Sequence, residues 1–157
     1  MDAIDRKILN LLHTHADMTA TELARTIHLS VPAANKRVAK LRQQGVIRRY
    51  TLDLDPARVG KALTAYTLVV LDQNAREEDL VALLNEDPDV TECHAVTGEY
   101  DFLLKIFARD IDSFEEKILK LKDRRLVSKT HTLFSLRERK YLPGACPDET
   151  GDGSRQQ

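Results

Sequence analysis

Apolar residues near the start of the chain recur at the spacing of two short helices. Asp2 stands where an acidic residue caps a helix start, and the apolar stripe that follows consists of Ile4, Ile8, Leu11 and Leu12. Thr19 and Glu22 form the pattern of a capping box, in which each side chain satisfies the other residue's free backbone amide. The apolar residues after this box are Leu23, Ala24 and Ile27. The pattern predicts two helices, the second short and sharply started.

A third helix is predicted over residues 31–44. Ser30 can cap it, and Gly45 can take the left-handed conformation that ends a helix. Its apolar face consists of Val31, Ala34, Val38 and Leu41. The opposite face is small, amide-bearing and basic, formed by Pro32, Ala33, Lys36, Ala39, Lys40 and Gln43 with Asn35 and Arg42 at the flank. This face suits a DNA recognition helix, although any solvated helix can carry Lys and Arg.

The order of the elements favours the DNA-binding interpretation. Residues 46–52 predict a small β-wing after the third helix, and a tight turn at His28-Leu29 separates the second helix from the third. This order is that of a winged helix-turn-helix. We therefore predict a DNA-binding domain over residues 1–52, with double-stranded DNA as its partner. The predicted contact residues are Ser30, Pro32, Ala33, Asn35, Lys36, Arg37, Lys40, Arg48 and Arg49.

The rest of the chain follows a βαββαβ pattern. Residues 53–60 lack a sustained period and are predicted to be a linker. Strands are predicted over 63–71, 90–96, 101–108 and 127–136, with one helix marked by Leu80 and Leu84 and another starting at Asp112. This order predicts an α+β protein whose second domain, residues 61–142, is ferredoxin-like, with two helices on one face of an antiparallel sheet. The uncovered face predicts dimerisation.

Charge is divided unevenly along the chain. Residues 1–50 carry nine Lys or Arg against four Asp or Glu, whereas residues 51–157 carry 15 against 21. This division indicates that only the first domain contacts a polyanion. No apolar run reaches the roughly 18 residues that span a bilayer, and the start of the chain lacks the features of a signal peptide. We therefore expect a cytoplasmic protein that does not enter a membrane.

The sequence carries no pattern typical of an enzyme or a metal site. Cys93 and Cys146 lack metal-binding or disulfide spacing, and His94 falls on the opposite strand face from Cys93, which favours an interface histidine that is partly buried. A glycine-rich phosphate loop, an activated nucleophile and a metal-binding His pair are all missing. We predict a protein that is not an enzyme and needs no cofactor or metal.

Three segments carry a resemblance to a known family. They are residues 4–9, residues 37–47 from the third helix into the wing, and, most diagnostically, residues 92–105 around Gly98. Over about residues 2–141 the chain resembles the Lrp/AsnC, or feast/famine, regulators of bacteria and archaea. The resemblance implies a sequence-specific transcriptional regulator that dimerises through its C-terminal sheet, assembles further into tetramers or octamers, and responds to an amino acid.

The resemblance also implies an effector site between subunits, at the hairpin after the second strand. The predicted effector-binding residues are Thr97, Gly98, Glu99, Tyr100, Asp101, Thr130 and Thr132. Asp101 or Glu99 can accept a hydrogen bond from the ammonium group of an amino acid, and the amides of a glycine turn can bind its carboxylate. Residue chemistry alone favours a structural interpretation, in which Asp101 closes the hairpin and Tyr100 fills an interface, and it is the resemblance that favours ligand binding.

Two other functions stay open at this point. Some proteins similar to this family decarboxylate siroheme, which requires His and Arg around a large cavity, and the hairpin of residues 98–101 argues against that activity. An architectural DNA-binding protein without an effector is the other alternative. Residues 143–157 lack apolar periodicity, depart from the usual ending of the family and are predicted to be disordered.

Overall fold

The computed structural model describes residues 1–147, which form five helices and four strands. In chain order these are α1 (Ala3–Thr14), α2 (Ala20–Thr26), α3 (Val31–Gln43), β1 (Leu63–Leu71), α4 (Glu77–Glu86), β2 (Val90–Ala95), β3 (Phe102–Ala108), α5 (Ile111–Asp123) and β4 (Val127–Phe134). They fall into two compact units. Unit 1 comprises Met1–Leu52 with the described residues from Lys140 onward, and unit 2 comprises Asp53–Arg139.

Local capping sets the starts of the three helices of unit 1. The Asp2 carboxylate accepts a hydrogen bond from the amide of Asp5 at 2.8 Å, and the Asp5 carboxylate accepts one from the amide of Asp2 at 3.1 Å. The predicted capping box of Thr19 and Glu22 is present at α2, and Ser30 caps α3. Below these caps, the three helices bury a common core of Ile8, Leu23, Ala24, Ile27, Ala34 and Leu41.

The predicted β-wing is not formed as strands. Residues 46–52 contain no strand, and the amides of Val46 and Ile47 both donate to the carbonyl of Leu41 at the end of α3. Gly45 ends the helix as predicted, with φ +72°. The physical reason is that a strand needs a hydrogen-bonded partner, and none of the strands in the described part of the chain pairs with residues 46–52.

Unit 2 is a four-stranded antiparallel sheet in the order β2-β3-β1-β4. This topology confirms the predicted ferredoxin-like arrangement. Strict alternation along β3 places one set of side chains in the core, including Leu104 at 0% and Ile106 at 1% exposure, where Leu80 of α4 and Ile118 of α5 pack against them. The alternate side chains of β1 and β3 lie on the helix-free face and are only half-buried: Tyr66, Leu68, Leu103, Lys105 and Phe107.

Several boundaries differ from the sequence-based prediction. Helix α5 begins at Ile111, not at Asp112, because Asp110 caps it and forms a capping box with Ser113. Strand β4 ends at Phe134 instead of continuing to residue 136, although the amide of Ser135 still donates to the carbonyl of Thr64. These shifts are one or two residues, the usual uncertainty of helix and strand ends.

The start of the predicted disordered tail contacts unit 1. Residues 143–147 form no helix or strand, but the His13 ring donates a 2.6 Å hydrogen bond to the carbonyl of Pro143. Residues 148–157 lie outside the described residues. Among the residues that the structure describes, no helix is both long and apolar enough to cross a membrane.

Acidification should weaken unit 2 through the cap of α5. Hydrogen bonds from Arg109 and then from Ser113 lower the pKa of Asp110 from 3.8 to about 2. The stabilisation from this carboxylate is therefore complete above about pH 4 and is lost as the pH falls toward 2. We expect Asp110→Asn to reduce the difference in melting temperature of unit 2 across this range. The control variant Asp112→Asn also removes one negative charge, but it leaves the cap at Asp110 unchanged. An equal reduction of the melting-temperature difference in this control contradicts the prediction.

Candidate nucleic-acid interface and effector hairpin

Helix α3 presents the predicted recognition face to solvent. Asn35, Lys36 and Lys40 are exposed, whereas Ala34 and Leu41 on the opposite side are at most 2% exposed. The buried residues hold the helix on the core of unit 1, and this packing leaves the small and basic face outward. Pro32 is exposed and Ala33 is half-buried at the first turn, so no long side chain there prevents close approach to a nucleic acid.

The turn between α2 and α3 is tight and is closed by backbone contacts. His28 takes a positive φ of +58°, and the amide of Leu29 donates to the carbonyl of Ala24 at 2.9 Å. Ile27, immediately before the turn, is 6% exposed and belongs to the core. A left-handed residue reverses the chain over a short distance, which lets α3 start directly after α2.

Arg37 is committed to helix α1. Its Nη1 donates to Asp2 Oδ2 at 2.6 Å and to Asp5 Oδ1 at 2.7 Å. The hydrogen bonds to Asp2 and then to Asp5 raise the pKa of Arg37. The amide of Asp5, followed by the Arg37 side chain, lowers the pKa of Asp2. This geometry differs from the prediction that Arg37 contacts DNA, because its guanidinium ties α3 to the start of α1.

The other predicted DNA contacts are arranged around the start and the end of α3. Ser30 Oγ accepts the amide hydrogen of Ala33 at 3.4 Å and therefore serves as a cap in this structure. Arg48 and Arg49 are exposed in the extended segment after the helix. Within the described residues, no ion pair involves four exposed cations of this surface: Lys36, Lys40, Arg48 and Arg49.

The hairpin between β2 and β3 is anchored by Asp101. Its Oδ2 accepts the amide hydrogen of Leu71 at 2.7 Å, and its own amide donates to the carbonyl of Val69 at 2.9 Å. Gly98 has φ +118° at the exposed tip, a conformation that L side chains rarely adopt. Glu99, next to it, is exposed. Both carboxylates are exposed, but Asp101 closes the hairpin through its hydrogen bond from Leu71, whereas Glu99 has no partner among the described residues.

Tyr100 joins the hairpin to two residues of β4 that sequence reasoning missed. Lys129 Nζ lies 4.8 Å from the centroid of the Tyr100 ring, and the His131 ring centroid lies 6.2 Å from it. Pairing Leu68 with His131 and Val70 with Lys129 places both residues on the helix-free face. Alternation along the strand is the signal that could have identified them as neighbours on one face.

Thr130 and Thr132 lie on the opposite face of the sheet. The Thr132 hydroxyl is 3.1 Å from that of Thr67, which is fully buried on the helix-covered side. Thr130 pairs with Val69, another buried residue of that side. The structure therefore brings together the five hairpin residues, but it separates them from the two threonines.

The cysteine and histidine of β2 form no metal cluster. His94 is exposed in the single chain, and its Nε2 lies 3.2 Å from Glu92 Oε2. Burial raises the pKa of the Cys93 thiol, and the charge of Glu77 adds to this effect, so neutral pH favours the thiol form. The described residues contain no group of His, Cys, Asp and Glu side chains suited to holding a metal ion.

Both units match known protein families. Residues 1–48 match a model of winged helix-turn-helix DNA-binding domains, and residues 64–144 match the Lrp/AsnC ligand-binding domain. The chain is 29% identical to the glutamate uptake regulatory protein of Zymomonas mobilis over 97% of this chain and 94% of that protein. It is 34% identical to the proline dehydrogenase transcriptional activator of Rhodobacter capsulatus over 74% of this chain and 77% of that protein.

Solved structures of transcriptional regulators are similar to this chain over most of its length. A regulator from Neisseria meningitidis in complex with L-Met has a TM-score of 0.85 and 32% identity, over 91% of this chain and 94% of that chain. The AsnC protein of Escherichia coli has a TM-score of 0.81 and 27% identity, over 94% of this chain and 99% of that chain.

Removing the Arg37 guanidinium should destabilise unit 1. We expect Arg37→Met to lower its melting temperature, because the Asp5 side chain is only 10% exposed and loses a charged partner. Lys36→Met is the matched control and should leave the melting temperature nearly unchanged, since Lys36 is exposed and forms no ion pair. If Arg37→Met melts like the wild type but loses affinity for DNA, Arg37 is a DNA contact instead of a structural residue.

Proposed function

This chain belongs to the Lrp/AsnC family of transcriptional regulators, and we propose that it reads DNA through α3 and binds an amino acid at the hairpin of residues 97–101. The observation that carries the proposal is the pair of surfaces described above. One is the exposed basic face of α3, whose residues Lys36 and Lys40 form no ion pair within the described residues. The other is a glycine hairpin that presents an exposed carboxylate.

The DNA contacts follow from the exposed face of α3. Asn35 has the amide geometry that pairs with adenine edges, and Lys36 and Lys40 are free to contact phosphate or guanine. Arg48 and Arg49 extend the positive surface beyond the helix and fit the phosphate backbone. The proposed contact set is the predicted set without Arg37. Ser30 belongs to it because it starts the helix. The set is Ser30, Pro32, Ala33, Asn35, Lys36, Lys40, Arg48 and Arg49.

The effector chemistry follows from the partners of the hairpin residues. Because Asp101 is held by the amide of Leu71, we assign the ammonium group of the effector to Glu99. The amides around Gly98 and the Lys129 ammonium group, which stacks on Tyr100, suit the effector carboxylate. The regulator from Neisseria meningitidis was solved with L-Met, which supports an amino-acid ligand for this chain. We leave Thr130 and Thr132 out of this set, because they face the helices.

The helix-free face of the sheet is the proposed subunit interface. Its apolar residues, including Tyr66, Leu68 and Phe107, are only half-buried in the single chain, and a second copy of the sheet can cover them. We propose a homodimer through this face, with further assembly into tetramers or octamers. Since its proposed target is DNA, we place the protein in the cytoplasm. An effector between subunits alters DNA binding only if it favours one assembly over another.

Charge removal on α3 should change the salt dependence of DNA binding. We expect Lys36→Ala and Lys40→Ala each to lower the slope of log affinity against log salt concentration by about 1, because each lysine releases about one counterion from a phosphate. The measurement is fluorescence anisotropy with the promoter of the protein's own gene over a range of salt concentrations.

Asn35→Ala is the matched contrast on the same face. It removes no charge, so the slope should stay constant while discrimination at one base pair falls by about 1–3 kcal/mol. Unchanged slopes in both lysine variants exclude the proposed docking of α3.

Glu99 should control amino-acid affinity. A thermal-shift screen of the standard amino acids first identifies those that stabilise the full chain, and calorimetry then compares variants. We expect Glu99→Gln to weaken binding of such an amino acid about tenfold, by removing a charge-assisted hydrogen bond.

Glu115→Gln, an exposed carboxylate change on α5, is the control and should bind normally. Light scattering establishes that each variant assembles like the wild type. Equal affinity in Glu99→Gln and the wild type removes Glu99 from the site.

A further inference from the structure

A cleft opens in unit 2 between the end of α4 and the outer surface of α5. Its volume is about 450 Å³, within the range of small-molecule sites. It lies on the helix-covered side of the sheet, whereas Tyr100 of the hairpin faces the helix-free side, and the two share no residue. The residues around the cleft are Leu83, Leu84, Glu86, Asp87, Pro88, Val90, Ile106, Lys117, Lys120, Leu121 and Arg124.

The floor of the cleft is apolar. Leu84, Ile106 and Leu121 are buried to 6% exposure or less and belong to the core of unit 2. Leu83 and Val90 are half-buried at its sides. These side chains offer a preformed surface to an aliphatic group a few carbons long, which gains free energy by leaving water.

Three cations of α5 line the cleft, and one of them is already neutralised. Lys117 Nζ donates to Asp87 at 2.7 Å and to Asp89 at 2.9 Å. Partial burial acts to lower the pKa of Lys117, but the hydrogen bonds and charges of the two aspartates outweigh it, and the pKa is raised. Asp89 also accepts from Lys61 at 2.6 Å. This network fixes the connection between α4 and β2 and braces one wall of the cleft.

The other two cations form no ion pair within residues 1–147. Lys120 and Arg124 stand one helical turn apart on α5, both are exposed, and neither forms an ion pair with a described residue. Glu86, across the cleft at the end of α4, is also exposed and has no ion pair within the described residues. Two free positive charges and one free negative charge therefore surround an apolar floor.

We propose that this cleft is a second ligand site, which binds a small carboxylate with an apolar body. The carboxylate pairs with Lys120 and Arg124, and the aliphatic group lies on Leu84, Ile106 and Leu121. The ligand needs the cations as well as the apolar floor, because a carboxylate that enters a partly apolar site loses hydrating water, and charged donors have to replace it. An aliphatic α-keto acid meets them, and so does the corresponding amino acid, whose ammonium group then pairs with Glu86.

Calorimetry on the full chain with three probes that share an isobutyl group tests the site. The probes are α-ketoisocaproate, L-leucine and isoamylamine, which lacks the carboxylate. We expect saturable binding of α-ketoisocaproate and none of isoamylamine. Tighter binding of L-leucine than of the keto acid, with the difference lost in Glu86→Gln, supports an amino acid as the ligand. The reverse order supports a keto acid.

Variants of the cleft locate the binding. The double variant Lys120→Gln/Arg124→Gln should weaken α-ketoisocaproate about tenfold or more, since two charge-assisted contacts are removed. Leu83→Trp should abolish binding by filling the cleft. The matched control is Lys122→Gln/Arg125→Gln, which removes the same charge from exposed positions outside the cleft and should bind like the wild type.

Three results overturn the proposal. The first is the absence of saturable binding by both carboxylate probes at millimolar concentration. The second is keto-acid binding that survives both Lys120→Gln/Arg124→Gln and Leu83→Trp. The third is a loss of keto-acid binding in Glu99→Gln, which assigns the ligand to the hairpin. The hairpin proposal itself stands or falls on the amino-acid affinity of Glu99→Gln, so the two proposals fail separately.

Discussion

Both helices of unit 2 pack on the same face of its four-stranded sheet, and the arrangement of the domain depends on this constraint. Alternation along β1 and β3 sends Leu104 and Ile106 under the helices and leaves Leu68 and Phe107 on the other side. The covered face forms the core that holds the domain together. The helix-free face combines apolar residues with Lys105 and His94, a mixture that suits the proposed subunit interface.

In unit 1 an ion-pair network contributes to the packing of the helices. Arg37 belongs to α3, the helix that is proposed to read DNA, but its guanidinium forms ion pairs with Asp2 and Asp5 at the start of α1. These contacts join the first and third helices, which also pack through apolar side chains such as Ile8 and Leu41. The cations of α3 therefore fall into two groups. The cation that faces α1 orients the helix, and the cations that face solvent remain available for phosphate.

The two proposed ligand sites use opposite sides of the sheet and different chemistry. The hairpin offers backbone amides, a glycine tip and Glu99 beside a face proposed for subunit contact. The cleft offers an apolar floor and a pair of cations inside one subunit. Ligands at these places have different routes to regulation. A ligand at the hairpin would lie at the proposed subunit interface, whereas a ligand in the cleft would lie between α4 and α5 and beside Val90 of β2 and Ile106 of β3, the strands that carry the hairpin.

Local chemistry in the sequence was enough to predict most elements. The capping box of Thr19 and Glu22, the cap at Asp2 and the helix end at Gly45 depend on residues a few positions apart, so the sequence alone determines them. The period-two pattern of β3 and the order βαββαβ likewise predicted the sheet and its topology. The family resemblance rested on residues 4–9, 37–47 and 92–105, and the matched family models confirm it.

Tertiary contacts decided what those segments do. The sequence placed Arg37 among the DNA contacts because its partners Asp2 and Asp5 lie far away in the chain and meet it only when α3 packs on α1. Packing also determined that Asp101 binds the amide of Leu71, that Thr132 faces Thr67, and that residues 46–52 lack a strand partner. Short-range periodicity specifies which side of an element a residue occupies, but only the folded chain decides which distant group it contacts there.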